Sequence, residues 1–504
     1  MLKFKLFVII SILAAAASSA CRTNLLGGEE LPGVPAAQPV PQAAPVASDG
    51  YRTSYADVVE KSSAAVIRIE VEHKNQPKQQ PGQQSPLDDF FRQFPVPQQE
   101  QGPRIERGVG SGVIVNSDGT ILTNAHVIDG AERIKVLLND NKTFEAKLVG
   151  TDKPSDLAVL KIESQDLPFL TLGNSDNVRV GDIVLAIGNP LGIGQSVTAG
   201  IISAKGRRTG LSYGNSNDSY EDFLQTDAPI NRGNSGGALV NLNSELIGIN
   251  SQILSSPGSA GGNIGIGFSI PSNMAKSVME QLIRDGRVRR GMLGINIQNL
   301  TEDTAKALEL ADASGIIISN VRPGSSADKA GLKRGDIVTA INGEKIEDTN
   351  VLRNKVAGTL PGTEIRLTIL RDGNPQELTA TLDEYNSEGE PKEGRSDKPE
   401  TAPNTQKEEG DGKLGLSLQP VSPEIAGQLD LPPDSGGLIV TNVDQNGPAA
   451  AEGIARGDVV LEVNRQPVKT IEEVRSALEK SGDRPILLLV NRRGQTIYLT
   501  VRPD

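Results

Sequence analysis

Six residues near the C-terminal end of the chain are written twice. Gly331-Leu332-Lys333-Arg334-Gly335-Asp336 returns as Gly453-Ile454-Ala455-Arg456-Gly457-Asp458, 122 positions later. The same offset carries Gly315 onto Gly437, Val321 onto Val443 and Asn342 onto Asn464. Several agreements in one register describe two copies of one domain, and a period this long means tandem domains rather than a solenoid. The repeat therefore takes roughly the last 200 of the 504 residues out of any single core. The copies are expected at 289–385 and 413–504. Residues 386–412 between them are polar, charged and rich in Pro and Gly, which describes a linker.

Upstream of the repeat the pattern is short β-branched runs separated by turn signals. Val113-Ile114-Val115 and Ile121-Leu122-Thr123 flank Asp118-Gly119, a strong hairpin signal. Further runs lie at 134–138, 157–162, 183–187, 246–249 and 264–270. This is the pattern of an all-β barrel or sandwich. After Pro271, Met274, Val278 and Leu282 recur at helical spacing and Gly286 supplies a stop, so a linking helix is expected there. The expected domain spans 51–288. Within it, residues 75–102 are dense in Gln and Pro but carry the apolar cluster Phe90-Phe91-Arg92-Gln93-Phe94, which fits a disordered loop and a loop that docks on a partner equally well.

The N-terminus reads as an export signal over residues 1–20. Lys3 and Lys5 precede an apolar stretch from Leu6 to Ala17, too short to span a bilayer, and Ser18-Ser19-Ala20 supplies small residues for cleavage. Cleavage there leaves Cys21 first, as in bacterial lipoproteins, although Ser18 stands where a lipobox prefers Leu. Residues 21–50, rich in Pro, Ala and Gly, read as a flexible tether. Cys21 is the one cysteine, so no intramolecular disulfide can form. The net charge of −12 argues against nucleic acid as a partner, because phosphate binding needs clustered Lys and Arg. It argues equally against general adhesion to anionic lipid, so membrane contact would come only through a lipidated Cys21.

Gly233-Asn234-Ser235-Gly236-Gly237 has the composition of a nucleophile turn. A serine hydroxyl needs an adjacent base, and backbone amides aimed at the developing oxyanion. The Gly233 and Ser235 amides are the candidates for the second task. Only two histidines could act as base. His73 borders the Gln/Pro-rich loop, a poor place to hold rigid geometry; His126 follows a predicted strand. The base in turn needs a carboxylate to fix its tautomer. Asp156 opens the apolar run Leu157-Ala158-Val159-Leu160 and can be buried there. Asp152, in a Lys-Pro turn, reads as solvated, and Asp227 as a group that shapes the serine loop. No phosphate-binding Gly-Lys-Ser/Thr loop and no histidine cluster occurs, so neither nucleotide, metal nor other cofactor is expected.

Thr123-Asn124-Ala125-His126-Val127, Ser155-Asp156-Leu157-Ala158 and Gly233-Asn234-Ser235-Gly236-Gly237 resemble the three signatures of the HtrA serine proteases, in order and in spacing. Ile187-Gly188-Asn189-Pro190 and Ile264 to Pro271 match further stretches of that family, and the repeated Gly-Leu-x-x-Gly-Asp element resembles its PDZ domain. The likeness is to the bacterial DegP/DegQ branch, which has two PDZ copies. It implies a mainly β chain: a chymotrypsin-like double β-barrel protease domain followed by two α+β PDZ domains. His126 would be the base, Asp156 its orienting acid and Ser235 the nucleophile. Gly233, Asn234 and Ser235 would form the oxyanion hole. Asn250, Ser251, Gln252, Ile253 and Leu254 would line a pocket for small aliphatic residues, and Arg207 would lie in a regulatory loop.

Gly291-Met292-Leu293-Gly294-Ile295 resembles a PDZ carboxylate loop, whereas Lys413-Leu414-Gly415-Leu416 matches it less well. The first copy is therefore expected to bind C-terminal peptide tails and the second to mediate assembly. The resemblance further implies an ATP-independent periplasmic endoprotease that degrades misfolded or unfolded envelope proteins, with accompanying chaperone activity. It implies homo-oligomers, trimers and higher multiples. The rival reading is a PDZ-based chaperone whose protease domain is largely latent.

Overall fold

The computed structural model describes residues 54–74, 105–190, 194–210, 219–231, 233–253, 263–310, 312–386, 410–411, 414–428, 436–482 and 484–502. The expected export signal, the tether with Cys21 and the Gln/Pro-rich loop 75–102 lie outside the described residues, as do most of the linker and Leu254.

Seven strands form the first sheet: β1 (Val66–Lys74), β2 (Ile105–Asn116), β3 (Thr120–Thr123), β4 (Arg133–Leu137), β5 (Thr143–Glu145), β6 (Lys147–Asp152) and β7 (Leu157–Lys161). Their spatial order is β5-β4-β1-β2-β3-β7-β6. The two edge strands, β5 and β6, are separated in the chain by Ala146 alone, and its amide donates to Ile134 O of β4 (2.9 Å). The sheet therefore curls back on itself through one covalent crossing. The Asp118-Gly119 hairpin forms as expected between β2 and β3. Gly119 has φ +89, and a Cβ there would lie 2.4 Å from Ile162 O, so both backbone and space demand glycine.

The second sheet is a closed barrel: β8 (Ile183–Gly188), β9 (Ser196–Arg207), β10 (Phe223–Thr226), β11 (Ala238–Val240), β12 (Leu246–Ile253) and β13 (Gly267–Pro271). The order is β10-β13-β12-β11-β8-β9, around a core that includes Val184, Ile202, Leu224, Leu239 and Ile247. The apolar run at 264–270 enters this strand later than its residues predict. Gly265 takes φ +89, which breaks extended backbone, and Ile264 stays half exposed. The linking helix runs Ser272–Asp285 and stops on Gly286 in the left-handed conformation. It buries Ala275, Val278 and Leu282, with Leu282 against Gly150 of β6.

The two repeat copies share one frame. In the first, strands at Ile295–Asn299, Ile316–Val321, Ile337–Ile341, Glu364–Arg371 and Asn374–Thr381 form a sheet, with a helix at Thr349–Gly358. In the second the strands are Leu416–Pro420, Leu438–Val443, Val459–Val463, Ile486–Arg492 and Gln495–Val501, with a helix at Ile471–Ser481. The repeated Asp explains why the six-residue motif recurs. Asp336 is buried, accepts from the Lys333 amide (2.7 Å) and takes the fork of Arg371 (2.8 and 2.7 Å). Asp458 does the same with the Ala455 amide and Arg492. Removing either arginine would leave a buried carboxylate without its charge partner. The copies also pack on each other. Leu300, Ile317 and Ile337 meet Leu487, Leu489 and Tyr498, and Gln298 exchanges two hydrogen bonds with the Tyr498 backbone. Among the described residues no helix is long and apolar enough to cross a membrane.

Candidate active site

His126 lies in the four-residue helix Ala125–Ile128 that follows β3. Its Nδ1 is 2.8 and 3.0 Å from the two Asp156 oxygens, and its backbone amide donates to Asp156 Oδ1 (3.0 Å). Asp156 follows the short 3₁₀ turn Lys153–Ser155 in a left-handed conformation, φ +55, immediately before β7. That conformation suits Asp better than most residues, and it is braced: the Asp156 carbonyl accepts from the Ala125 amide and from Asn124 Nδ2 (both 3.1 Å). His126 and Asp156 therefore grip each other through main chain and side chain alike.

Burial acts on the His126 imidazole in one direction and Asp156 in the other. Desolvation, the largest effect, disfavours the imidazolium; the charge and hydrogen bond of Asp156, helped by Asp129, outweigh it, so the pKa lies above the ordinary 6.5.

Ser235 sits on the turn between β10 and β11, packed against the first sheet. A Cβ on Gly236 would meet Ser111 O at 2.1 Å and Thr123 Oγ1 at 2.4 Å, and one on Gly237 would meet Ile187 O at 2.2 Å. Here glycine serves close approach to β2 and β8 as much as freedom to turn. The Gly236 amide donates to Asn250 O (2.7 Å) and the Gly237 amide to Asn234 O (2.8 Å). Among the described residues the Gly233 and Ser235 amides have no backbone acceptor. Asn234 does not join them: its amide donates to Asn231 O (3.0 Å), and its buried carboxamide packs on Gly188. No hydrogen bond joins Ser235 Oγ to His126 Nε2 among the described residues.

Strand β12 ties the two halves together. Asn250 O holds the serine turn through Gly236, and the next residue, Ser251, donates from Oγ to Asp156 Oδ2 (2.9 Å). The residues expected to line a pocket thus divide. Asn250 is fully buried and braces the barrel, with Nδ2 donating to Ala238 O (2.9 Å) and Oδ1 accepting from Ser269 (3.0 Å). Ser251 serves the acid. Gln252 donates from Nε2 to Thr209 Oγ1 (2.7 Å), and Ile253 is half-buried against the barrel core. Arg207, exposed at the end of β9, donates from Nε to Gln225 (3.1 Å).

Two acids differ from expectation. Asp152 is buried, not solvated. It caps the 3₁₀ turn through Ser155 and takes both Arg290 nitrogens, Nη1 at 2.8 Å and Nη2 at 2.5 Å. Arg290 immediately precedes the Gly291–Gly294 loop and lies over the Tyr220 ring, 4.4 Å from its centre. Sequence proximity could not reveal a partner 138 residues away. Asp227 accepts from the Ile201 amide of β9 (2.7 Å), and among the described residues no hydrogen bond joins it to the serine turn.

In the first repeat copy, the Gly291 amide donates to Thr359 O (3.0 Å) and Gly291–Met292 pairs with Asp383–Glu384. Leu293 is buried, and Gly294 has φ +77 with no space for a Cβ beside Ser325. Ile295 opens the sheet's terminal strand, paired on one side with Ile316–Val321. In the second copy the corresponding strand Leu416–Pro420 is also paired on its other side, with Gly410–Asp411. The helix Thr349–Gly358 is tied to the first domain, where Asn350 and Asn354 both donate to Glu221 O (2.9 and 2.8 Å).

Comparisons with known proteins agree with this architecture. Residues 110–249 match the trypsin-like peptidase domain, and residues 291–382 and 439–492 each match a PDZ domain. The chain is 40% identical to the periplasmic pH-dependent serine endoprotease DegQ of Escherichia coli, over 91% of this chain and 93% of that one. It is 39% identical to a probable periplasmic serine endoprotease, DegP-like, of Chlamydia trachomatis, over 89% and 88%. Among solved structures, the HtrA-type protease AlgW with a tripeptide aligns over 66% of this chain and 98% of its own, with a TM-score of 0.52 and 41% identity. Identity at this level over nine-tenths of both chains makes this chain a member of the HtrA family of serine endoproteases, carrying a trypsin-like peptidase domain followed by two PDZ domains.

Proposed function

We propose that His126, Asp156 and Ser235 form the catalytic triad of this endoprotease. The observation that carries the assignment is the double tie through β12, where adjacent residues Asn250 and Ser251 hold the serine turn and the acid. Ser235 Oγ attacks the scissile carbonyl and its proton passes to His126 Nε2, which is free because Asp156 occupies Nδ1. The Gly233 and Ser235 amides receive the oxyanion. The imidazolium returns its proton to the leaving amine, and water, activated by the same base, releases the acyl group. The Ser235–His126 hydrogen bond closes on substrate binding, as loose apo geometry allows. Ser235→Ala should abolish casein cleavage and fluorophosphonate labelling; retained cleavage with an intact fold would sink the triad.

The substrates are unfolded polypeptides in the periplasm, degraded without ATP. The reading draws support from relatives named as periplasmic endoproteases. The first PDZ domain takes peptide tails by strand addition along Ile295–Asn299. Leu293 and Gly294, whose amides have no backbone acceptor among the described residues, receive the carboxylate together with Met292. Anisotropy with a labelled peptide and its C-terminal amide tests this: equal binding of the two rejects carboxylate capture. The second PDZ domain, with its strand already flanked by Gly410–Asp411, serves assembly into trimers and higher multiples, which native mass spectrometry measures.

A further inference from the structure

We propose that Ser111 is a positioning residue for the oxyanion hole: its hydroxyl fixes the peptide plane between the two amides that receive the oxyanion. The inference rests on the assignment of Gly233 and Ser235 above and deepens it.

Ser111 is fully buried on β2, in the first sheet, yet four of its contacts reach the serine turn, the Asn189 loop and β3. Its amide donates to Ser235 O (2.9 Å). Its carbonyl accepts from Thr123 Oγ1 (2.7 Å). Its hydroxyl donates to Gly233 O (2.5 Å) and accepts from the Asn189 amide (2.8 Å). The direction of the last two bonds is forced. A hydroxyl has one proton; the Asn189 amide can only donate, and the Gly233 carbonyl can only accept. The Ser111 proton must therefore point at Gly233.

That carbonyl belongs to the peptide joining Gly233 to Asn234. A trans peptide is planar, with C=O and N–H on opposite sides. Ser111 holds the plane from one side and Asn231 O, accepting the Asn234 amide at 3.0 Å, holds it from the other. Gly233 has φ +93, a region glycine leaves and enters at little cost. A glycine peptide so placed can rotate, and rotation would swing the flanking Gly233 and Ser235 amides off a common focus. The Ser111 hydroxyl opposes that rotation. It also links the hole to the Asn189 loop, while the Ser111 carbonyl, through Thr123, reaches the residues just before His126. Oxyanion stabilisation depends on donors that need no reorganisation during reaction, so the orientation of this plane bears on the transition state more than on the bound substrate.

The test uses the full-length enzyme with Ser111→Ala and Ser111→Thr, a chromogenic peptide substrate, and two inhibitors of that sequence. A peptide boronate forms a tetrahedral adduct with an oxygen in the hole; a reduced-amide peptide has no carbonyl oxygen to place there. For Ser111→Ala, kcat should fall about 10- to 100-fold, below the direct loss of a donor, with KM within about twofold. The boronate should weaken by the same factor as kcat and the reduced amide should not change. Ser111→Thr should recover most of the loss. If threonine lowers the melting temperature below that of the alanine variant, the ratio of the two inhibitors in Ser111→Ala decides alone. Unchanged kcat, or equal weakening of both inhibitors, overturns the proposal. Ser235→Ala runs alongside. Cleavage surviving in that variant overturns the underlying site, whereas its loss beside a fully active Ser111→Ala overturns the role of Ser111 alone.

Discussion

The two halves of the proposed catalytic centre are built differently. The His126–Asp156 half is local and closed: 30 residues apart in sequence, base and acid meet through three hydrogen bonds and a braced main chain. The Ser235 half is a turn of glycines held from outside, by Ser111 of β2 and Asn250 of β12. Among the described residues the bond between the halves is not made. Acid–base geometry can thus be preset by short-range packing, while the nucleophile's position is a property of how the first sheet and the barrel meet. A turn held in this way can be adjusted by substrate; a base locked to its acid cannot, nor does it need to be.

The sharpest way to break this contrast is Asp156→Asn. It leaves the shape but reverses the tautomer preference of His126, and kcat should fall about 10⁴-fold with folding retained; a loss under tenfold would mean the acid half is not preset at all. Gly236→Ala attacks the other half. Its Cβ must displace Ser111 O or Thr123 Oγ1, and misplacing the nucleophile by about 1 Å should cost roughly 100-fold in kcat/KM. Near-normal activity would show that the turn yields freely. Ser251→Ala tests the tie between them. Losing a donor to the Asp156 carboxylate should cost roughly tenfold in kcat and raise the His126 pKa, moving the pH–rate profile to higher pH.

The pH response separates the halves further. Cleavage needs neutral imidazole, so kcat/KM should climb with pH through an inflection above 6.5, losing about tenfold per unit below it. Stability runs the other way. The raised pKa means that the imidazolium–Asp156 attraction stabilises the fold fully below the unfolded value and is lost as pH rises through the folded one. The smallest effect concerns Asp222, next to β10 on the serine side. Burial pushes its pKa up to about 6, with Asp176 and Asp348 raising it and Lys205 and Lys355 opposing. The folded state then holds the extra proton between about 3.8 and 6, and stability falls as pH rises through that window. Asp222→Asn should raise the melting temperature by a few degrees at pH 7 and change little below pH 4, leaving the kinetic inflection in place. A shifted inflection would assign part of the activity profile to the serine half.

The contrast also explains what could be read in advance. The hairpin at Asp118-Gly119, the helix ending at Gly286 and the doubled Gly-Leu-x-x-Gly-Asp turn are set by contacts within a few residues, and each formed where its residues pointed. Asp152 was misjudged because its partner, Arg290, is 138 residues away, and Asp227 because strand pairing decides which neighbour it faces, the Ile201 amide of β9. Ser111 gave no warning at all: a serine between two glycines in a strand has no local feature that names Gly233 as its acceptor.

Sequence by itself determined the domain count and the β character, and it named the three side chains proposed for acyl transfer, since turn chemistry, alternation and reactivity are properties of side chains and near neighbours. Tertiary structure alone decided which carboxylate is buried beside which cation, and which hydroxyl orients the serine turn. Those choices depend on distances between segments a hundred residues apart, and a hydrogen bond is sensitive to tenths of an ångström that no spacing in the chain encodes.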